Sequence, residues 1–570
     1  MGKIMKILKS DKFLLFVFLL VGCLVSMFLK REVLWDFANY YYYNAWALVN
    51  GRLWEDVALG GYHAFLNPVA DLSLYYLIQY FNDFPNLICF LQGIPFGALL
   101  FISFLLFRQY FDEKTWKGRF CIFMALLIVS TGFAVNTQIG SSSNEILVSF
   151  LALWGFYLLQ REVFFAESPR TKIFFCSGLL MGISMGLKLT SVIYCAGIAI
   201  TLILYLIKSK LSLKNFICFA CGGLAGFLLF HGYWMFLLWQ KFDNPFFPFA
   251  NAWFKSDWMP AVNFRDVRFL PQTWYEYLFF PVIWSSGKFH FYDEMVVTEA
   301  RWILWFVLGC GYIFYWFRHK IYHIKISYLP VQQAWFFSLC FVLSSYVIWL
   351  FLFAIIRYCV VLEVLGALFL VQAVVFLKPK SQKYDVIYFS ALNILIFVVL
   401  STPLFSNNWG MRKNTDEHFL HEKQQIFSYL NENAKYDQFL FVENLDVPDG
   451  SVVMFVGYPN TFVLPSLLKN ANVKAIGYAK KTDNMSKNNI LTGMFNKGKW
   501  AEGKDKILQQ YGDPSFFVVS MMGETSLKNL IPDKYWDNLV CRRLKNNVIT
   551  RLFWCAKTSN RIKYKGNAHD

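Results

Sequence analysis

The sequence is poor in charged residues: Asp, Glu, Lys and Arg make up 16% of the chain, against roughly 25% in soluble globular proteins. Hydrophobic residues make up 57% and aromatic residues 20%. This composition excludes an ordinary soluble domain and predicts an integral membrane protein. Negatively charged residues are fewer than positively charged ones, with 37 Asp and Glu against 54 Lys and Arg. Because the basic residues cluster in short runs between apolar segments, the excess indicates membrane topology, and we expect no nucleic-acid partner.

Several catalytic signatures are also missing from the sequence. It has no Gly-rich phosphate loop, no nucleophile elbow and no metal-spaced ligand motif. It has no internal repeat and no low-complexity tract. A nucleotide-using enzyme is therefore disfavoured. The repeated halves that are typical of many transporters are not visible either.

Cysteine is nearly absent outside the apolar segments. Ten of the twelve cysteines lie in or beside such segments, where Cys usually acts as a small hydrophobic residue. Cys541 and Cys555 stand alone in the polar C-terminal region. We predict a disulfide between them, which would close a loop of roughly 15 residues and contribute about 3 kcal/mol. Two unrelated free thiols are the alternative.

Apolar segments recur along the chain, each near the ~20 residues that a bilayer requires. Eleven spans are predicted, at about residues 13–29, 86–107, 119–137, 145–160, 173–187, 189–207, 215–239, 301–318, 334–353, 358–377 and 384–401. Lys30, Arg31 and Glu32 follow the first span where a signal peptide would have a small-residue cleavage site. We therefore expect an uncleaved first helix.

Five connections between spans are basic, and they read RQYFDEKTWKGR, REVFFAESPRTK, KSKLSLK, RHKIYHIK and KPKSQK. All five fall on one side of the membrane if the N-terminus is cytoplasmic, as the positive-inside rule requires. The prediction is then a mainly α-helical polytopic domain over residues 1–401, with external loops at 30–85 and 240–300. From about Thr402 the composition changes, and β-like runs such as SVVMFVGY and FFVVS alternate with helical stretches. This pattern predicts an external α/β domain over residues 402–570.

The first external loop holds an unusual set of polar residues among aromatic ones. Asp36, Tyr40 and Tyr43 recur at helical spacing, so we expect them on one face of an amphipathic helix at the membrane interface. The dipeptide Asn50-Gly51 would end this helix. A turn at Gly60-Gly61 would then bring His63 and Asn67 back toward Asp36, while Asp56 is a second acidic candidate in the same loop.

Other ionisable residues are predicted at the outer ends of spans, against the positive-inside tendency. Lys188 would meet an anion or snorkel to the interface, and Glu145 would begin a helix, where its dipole favours a carboxylate. Arg357 and Glu363 lie close together in sequence, either as an ion pair or as functional groups inside the membrane. The second external loop adds two further cations, Arg265 and Arg268.

Cations and aromatic residues on the external side suit a ligand with an anionic head and an apolar tail. An enzyme acting outside the cell has no nucleotides at its disposal, so its activated substrate must come through the membrane. A sugar linked to polyprenyl phosphate meets both requirements. The alternatives are a transporter or flippase of an amphiphilic anionic lipid, and a ligase that joins longer lipid-linked glycans. The sequence indicates no oligomeric state.

The topology and four runs, NAWALVNGRLWED, YHAFLNPVADL, GLKLT and RYCVVLE, resemble the C-type glycosyltransferase superfamily (GT-C) over about the first 400 residues. More narrowly, they look like its bacterial glycosyltransferase 87-like or mannosyltransferase-like members. The resemblance implies a multi-pass protein of the bacterial inner membrane with an external C-terminal domain. It also implies an inverting transfer from a polyprenyl-phosphate sugar to a hydroxyl on a glycolipid, lipopolysaccharide or cell-envelope glycan.

The resemblance also assigns roles to residues. In that superfamily an Asp of the first external loop is the catalytic base, which corresponds here to Asp36, with Asp56 as the rival. We expect no cofactor, because Phe37 follows Asp36 where metal-dependent members carry a second acidic residue. The implied donor-phosphate ligands are Lys188, Arg357, Arg265 and Arg268, and the implied substrate ligands are His63, Asn67, Tyr43, Glu145, Tyr358 and Glu363.

Overall fold

A computed structural model describes residues 11–29, 31, 35–208, 210–263, 265–267, 269–285, 300–321, 330–376, 438–469, 471–478, 495–521, 526–549 and 551–558. The chain divides into two compact units. The first, which we call the bundle, comprises Met1–Lys30, Cys89–Tyr233 and Asp266–Arg412. The second, which we call the loop-and-sheet unit, comprises Arg31–Ile88, Trp234–Arg265 and Lys413–Asp570.

Helices account for most of the described chain. In order they are α1 (Asp11–Leu29), α2 (Tyr42–Val49), α3 (Leu72–Phe81), α4 (Pro85–Gln92), α5 (Ile94–Phe107), α6 (Trp116–Ser130), α7 (Phe133–Asn136), α8 (Glu145–Phe164), α9 (Thr171–Leu187), α10 (Val192–Ile207), α11 (Leu213–Phe242), α12 (Asn251–Phe254), α13 (Trp274–Ser285), α14 (Ala300–Ile321), α15 (Pro330–Leu352), α16 (Val360–Phe376), α17 (Leu464–Leu467), α18 (Gly498–Tyr511), α19 (Leu527–Leu530) and α20 (Asp533–Trp536). A π-helical turn occupies Phe37–Tyr41, and 3₁₀ turns occupy Gly61–Phe65, Val69–Asp71, Leu189–Ser191, Ile356–Cys359 and Thr461–Val463.

The predicted spans that the structure describes coincide with helices except at 119–137, where one helix ends at Ser130 and a separate short helix follows at Phe133–Asn136. Seven helical segments of the described chain are long and apolar enough to cross a membrane, namely Asp11–Leu29, Pro85–Phe107, Glu145–Phe164, Leu189–Ile207, Leu213–Phe242, Pro330–Leu352 and Ile356–Val375. Thr171–Leu187 and Ala300–Gly311 are shorter apolar helical segments. These observations confirm a multi-pass membrane protein. The predicted span at 384–401 lies outside the described residues, so the count of eleven remains a prediction.

Glycine allows some helices of the bundle to pack backbone against backbone. A Cβ atom at Gly22 of α1 would lie 2.4 Å from the backbone nitrogen of Gly97 in α5. Between α9 and α11, a Cβ at Gly182 would lie 2.0 Å from the carbonyl oxygen of Gly223. Such close approaches increase van der Waals contact between helices, which stabilises their packing in a membrane, where no hydrophobic driving force acts between them.

The described C-terminal residues form a five-stranded sheet in the order β2-β1-β3-β5-β4. The strands are β1 (Val452–Val456), β2 (Lys474–Tyr478), β3 (Phe516–Ser520), β4 (Leu539–Arg543) and β5 (Leu552–Lys557). β1 pairs in parallel with β2 and β3, whereas β5 pairs antiparallel with β3 and β4. Every residue of β1 and β3 is buried, which is typical of central strands covered on both faces. The α/β character predicted for this region is confirmed.

The predicted disulfide is present and joins the two antiparallel strands at the sheet edge. Cys541 of β4 and Cys555 of β5 are direct cross-strand partners and are covalently linked. The bond therefore fastens the half-exposed edge strand β4 to its buried neighbour.

The first external loop is part of the same unit as this sheet. The Val57 amide donates to the Ala475 carbonyl at 3.1 Å, and the Gly477 amide donates to the Val57 carbonyl at 2.7 Å, so Val57 extends the sheet beside β2. A Cβ at Gly477 would lie 2.1 Å from the Ala58 oxygen, so this approach requires glycine. The sequence predicted a C-terminal domain over residues 402–570, and in the structure the unit that contains the sheet also includes Arg31–Ile88 and Trp234–Arg265.

Candidate functional site

Asp36 lies directly before the π-helical turn of the first loop. Its side chain is 7% exposed, and the Tyr41 hydroxyl donates to its Oδ2 atom at 3.5 Å. The predicted helix is confirmed by the π turn and α2, but every residue from Asp36 to Ala47 is buried rather than lying at a surface. A residue of the C-terminal region contacts the π-helical turn, since the Thr461 hydroxyl donates to the Asn39 carbonyl. π-helical turns occur frequently at functional sites.

His63 returns to the neighbourhood of this turn, as the glycine pair predicted. Gly60 and Gly61 both have positive φ, 65° and 60°, which glycine adopts without a steric penalty. The His63 ring stacks on Tyr40 with centroids 4.8 Å apart and meets the edge of Trp35 at 5.2 Å. The imidazole is thus held by aromatic residues from either side of Asp36 in sequence.

Asn67 stabilises the local turn that it belongs to. Its Oδ1 atom accepts a hydrogen bond from the Val69 amide at 3.1 Å, which is a common local role for asparagine. This contact uses the side-chain oxygen but leaves the substrate role of Asn67 as a prediction.

Asp56 has a tightly bonded carboxylate. Arg52 donates to it from Nε at 3.2 and 3.1 Å and from Nη2 at 2.9 Å, and the Tyr43 hydroxyl donates to Oδ2 at 2.9 Å. The Asp56 side chain is 0% exposed. Burial raises the pKa of the Asp56 carboxyl, while the Arg52 guanidinium counters part of that rise. Burial and the nearby Asp56 carboxylate raise the pKa of Tyr43 as well.

These contacts separate the two candidate bases. The Asp56 carboxylate accepts hydrogen bonds from an arginine fork and a tyrosine hydroxyl. Arg52 also donates to the Val473 carbonyl at 2.6 Å, which ties this group to the sheet. Asp56, Tyr43 and Arg52 therefore form a hydrogen-bonded cluster, and the choice of Asp36 as the base stays a prediction.

In the bundle, the structure brings Lys188 and Glu145 together. Lys188 Nζ donates to Glu145 Oε1 at 2.6 Å and to the Ser143 carbonyl at 2.6 Å. Glu145 is the first residue of α8 and is 2% exposed, so both the helix dipole and the ammonium group stabilise its charge. Any anion bound by Lys188 would share this cation with Glu145.

Glu363 is bonded to a break between two bundle helices. Its carboxylate oxygens accept from the amides of Ala134 and Val135 at 3.0 Å each, at the start of α7. On the other side of the break, Arg301 donates to the carbonyl and hydroxyl of Thr131 at 2.7 and 2.9 Å. A carboxylate at a helix N-terminus and a cation at a C-terminus both complement helix dipoles. These hydrogen bonds give Glu363 a structural contact at the start of α7, and its predicted role in substrate binding stays a prediction.

The remaining predicted cations differ in their settings. Arg357 lies in the 3₁₀ turn before α16 with its guanidinium 5.4 Å from the centroid of the Tyr358 ring, and the Tyr358 carbonyl accepts from the Tyr194 hydroxyl. Arg265 is exposed in the second external loop. Arg268 lies outside the described residues.

Metal-ligand geometry is not found in the described part of the chain. Across those residues, no group of three or more His, Cys, Asp or Glu side chains could hold a metal ion. Metal-independent chemistry nevertheless remains a prediction.

Sequence reasoning missed the residues that engage the candidates. Arg52 stands four positions before Asp56, a spacing that pairs side chains on a helix, so this partner carried a usable signal. Arg301 is an arginine at the start of an apolar span, and it marks a buried partner by the same logic that singled out Glu363. The stacking of Tyr40 on His63 carried no local signal.

Comparisons with known proteins give a structural match only. No protein-family model matches the chain, and no curated protein matches its sequence. ArnT from Cupriavidus metallidurans bound to undecaprenyl phosphate overlays with a TM-score of 0.52 at 13% identity, covering 96% of this chain and 98% of ArnT. ArnT in the apo state overlays with a TM-score of 0.51 at 13% identity over 95% and 97%. The Archaeoglobus fulgidus oligosaccharyltransferase overlays with a TM-score of 0.43 at 10% identity, covering 88% of this chain and 68% of that protein.

The two ArnT structures cover nearly the whole of both chains, and at such low identity they show the fold. The chain therefore has an ArnT-like fold.

Proposed function

We propose that this chain is an inverting membrane glycosyltransferase that transfers a hexose from a polyprenyl-phosphate-linked donor to an acceptor hydroxyl. The observation that carries the proposal is the end-to-end overlay with ArnT bound to undecaprenyl phosphate. A buried carboxylate in the first loop, next to a stacked histidine, supports it because acceptor activation needs a positioned base. The acceptor is a glycolipid, lipopolysaccharide or cell-envelope glycan.

In the proposed reaction, Asp36 takes the proton of the acceptor hydroxyl as its oxygen attacks the anomeric carbon of the donor. The bond from that carbon to the phosphate oxygen breaks, and its electron pair leaves with the polyprenyl phosphate. Fixed cations would stabilise the charge that develops on this phosphate, and the candidates are Lys188, Arg357, Arg265 and Arg268. His63 would orient the acceptor or the Asp36 carboxylate, and no metal takes part.

The pairing inside the loop-and-sheet unit supports the proposed topology. Because Val57 and Ala475 are hydrogen-bonded, both lie on one side of the membrane, and the intervening chain must cross it an even number of times. The ten spans predicted between these residues satisfy that condition. Asp257 pairs with Lys499 at 3.1 Å, and the six and four predicted spans on either side of it are even as well.

The sidedness of this unit is proposed from two further observations. The five basic connections lie on the opposite side of the predicted topology, which makes that side cytoplasmic. A disulfide in the loop-and-sheet unit suits an oxidising compartment. The proposal therefore places the chain in a bacterial inner membrane, with Asp36 facing the periplasm or cell exterior.

A donor panel tests the proposal. The purified full-length chain would be incubated in proteoliposomes with polyprenyl-phosphate hexoses and a crude envelope acceptor fraction. We expect release of free polyprenyl phosphate, measured by mass spectrometry, and none from the Asp36→Asn variant. Release of a nucleotide from nucleotide sugars would contradict the lipid donor. Movement of intact donor between leaflets, without bond cleavage, would support a flippase instead.

A further inference from the structure

A cavity of about 590 Å³ opens in the loop-and-sheet unit, a volume within the range of ~300–1,000 Å³ that holds small-molecule ligands. All three segments of the unit contribute to its wall. The first loop provides the stretch around Trp54, the second loop provides Lys241 and Trp258, and α18 provides Trp500 and Lys506. None of these residues has a role in the transfer proposed above.

The aromatic part of the wall is rigid. Trp258 and Trp500 meet edge to face with centroids 4.8 Å apart, and the Trp500 indole N–H donates to the Trp258 carbonyl at 2.7 Å. Trp54 packs against Phe242 with centroids 5.1 Å apart. Trp54 also has a φ of 68°, a conformation that costs energy for a residue with a side chain and is often held at binding sites.

The ionisable part of the wall carries both signs: the acidic residues are Glu55, Asp56, Asp243 and Glu502, and the basic residues are Lys241, Lys499 and Lys506. Some charges are balanced within the protein: Asp56 is bound by Arg52, and Lys499 pairs with Asp257 at 3.1 Å. Lys241 and Lys506 behave differently. In the stretches that the structure describes, no acidic side chain forms an ion pair with either of them, and both line the cavity.

The Lys241 ammonium lies 5.2 Å from the centroid of the Trp258 ring. The cavity wall therefore combines an aromatic face with two lysines that form no ion pair in the described chain. An anionic group within reach of them would form charge-assisted hydrogen bonds. Asp243 and Glu502, which also line the cavity, offer hydrogen-bond acceptors that suit hydroxyl groups.

A flat ligand with apolar C–H faces, hydroxyls on its rim and one anionic substituent satisfies all of these features. We propose that the cavity binds a saccharide carrying a carboxylate or phosphate, held through its acidic group by Lys241 and Lys506 and through its ring by the tryptophans. An acyl chain fits poorly, because ionisable side chains of both signs interrupt the apolar wall. If the proposed transfer is correct, this saccharide is part of the acceptor, and that identification alone rests on the proposed function.

Direct binding tests the cavity without any donor. The full-length chain in nanodiscs would be titrated with methyl glucuronide, glucose 6-phosphate and methyl glucoside, with saturation-transfer NMR as the readout. We expect both acidic probes to bind about tenfold more tightly than the neutral one. In the Lys241→Gln/Lys506→Gln variant the three affinities should become equal. Preference for one acidic probe would identify the substituent as carboxylate or phosphate.

Two further variants control for the location of the site. Lys528→Gln removes an exposed lysine of α19 and should leave all three affinities unchanged. Gly503 of α18 lines the cavity, and a Cβ there would make only ordinary contacts with Val57 at 3.6 Å, so Gly503→Leu should fold and block every probe. Equal affinities in the wild-type chain, or full binding by the Gly503→Leu variant, would overturn the proposal.

The same samples separate this inference from the proposed function. Binding of acidic probes by a chain that releases polyprenyl phosphate from no donor would uphold the cavity and defeat the transferase. Donor cleavage by a chain that binds acidic and neutral probes equally would do the reverse. When both hold, we expect the lysine double variant to raise the KM for an acidic acceptor about tenfold, with kcat retained.

Discussion

Asp36 and Asp56 occupy the same loop but very different surroundings. Asp56 is fully enclosed and accepts hydrogen bonds from Arg52 and Tyr43, and Arg52 in turn bonds the backbone of the sheet region at Val473. Asp36 lies directly before a π-helical turn, and the His63 ring packs against its neighbour Trp35. Asp56 thus has the bonding of a structural carboxylate, whereas the role of Asp36 as general base is the prediction that the variants below test.

The bundle repeats the first of these two arrangements. Glu363 and Arg301 are each bonded to one side of the break between α6 and α7, and Glu145 binds Lys188. Burial of a charge is therefore not by itself a sign of catalysis in this molecule. What distinguishes a structural charge is a partner that matches it in geometry and is buried with it.

The largest expected effect comes from replacing the carboxylate of Asp36 with an amide. Asp36→Asn should reduce transfer by about 10²–10⁴-fold, since it removes the general base while keeping the shape of the side chain. Donor affinity and the melting temperature should stay close to those of the wild type. Release of polyprenyl phosphate, followed over time, measures the effect.

Asp56→Asn is the matched control and should keep most of the activity per folded molecule. The assignment of the base would be wrong if Asp36→Asn transferred sugar at nearly the wild-type rate, or if Asp56→Asn alone abolished transfer.

Removing the partner of Asp56 should destabilise the loop-and-sheet unit. Arg52→Met leaves a buried carboxylate without its guanidinium, which costs roughly 3–5 kcal/mol in comparable buried pairs. The melting temperature of the full-length chain in detergent should fall accordingly. The double variant Arg52→Met/Asp56→Leu removes both charges and should regain most of the loss. A double variant as unstable as the single one would show that Arg52 acts through its contact with Val473 rather than through Asp56.

Lys504 is a buried cation whose described hydrogen-bond partner is an amide oxygen rather than a carboxylate. Its ammonium donates to the Asn496 amide oxygen at 2.9 Å, and burial lowers its pKa from 10.5 to about 8. The unfolded chain thus binds the proton more strongly, so stability should rise as pH increases from about 8 to 10.5. The gain amounts to at most about 3 kcal/mol.

Below pH 8 both states carry the proton, and the full cost of burying it remains. Melting curves between pH 7 and 10.5 measure this contribution, and Lys504→Met should remove the rise with pH while stabilising the chain at pH 7. A wild-type melting temperature that falls steadily over this range, in parallel with that of Lys504→Met, would argue against the lowered pKa.

The smallest effect concerns donor affinity. Lys188→Gln should weaken donor binding by about tenfold if the ammonium contacts phosphate. Glu145→Gln, which frees the ammonium from its carboxylate, should strengthen binding. Titration with a polyprenyl-phosphate hexose analogue measures both. The double variant decides the role: weak binding supports a phosphate contact, while restoration to the wild-type level would mean that Lys188 serves only Glu145.

The sequence predicted the elements that local physics specifies. Apolar runs of sufficient length located the helices, the pair Gly60-Gly61 located a turn, and two isolated cysteines located the disulfide. β2, β4 and β5 were not predicted, and the predicted strand FLFVE at residues 439–443 forms no strand. The sequences of β2 and β4, KAIGY and LVCRR, mix polar and small residues with apolar ones. Such strands are stabilised by their neighbours rather than by their own composition.

The surroundings of the candidate site were harder to predict, because they depend on contacts between distant residues. Nothing in the residues around Val57 indicates that they pair with β2, and Gly477 shows its purpose only once Ala58 lies against it. The bonding of the Asp56 carboxylate by Arg52 and Tyr43 likewise depends on how the loop folds.

The pairing of the first loop with β2 also has a consequence for how the protein is made. The loop leaves the ribosome early, yet Arg52 bonds a residue 421 positions further along the chain, so its partner is synthesised only after the predicted spans have been inserted. Closing so large a separation is slow, and the exposed loop must wait for it. A chain that stalls or inserts one span in the wrong direction would strand the loop and the sheet on opposite sides of the membrane. The cluster of Arg52 and Asp56 therefore gains its contact with the sheet region only in molecules whose biogenesis has gone to completion.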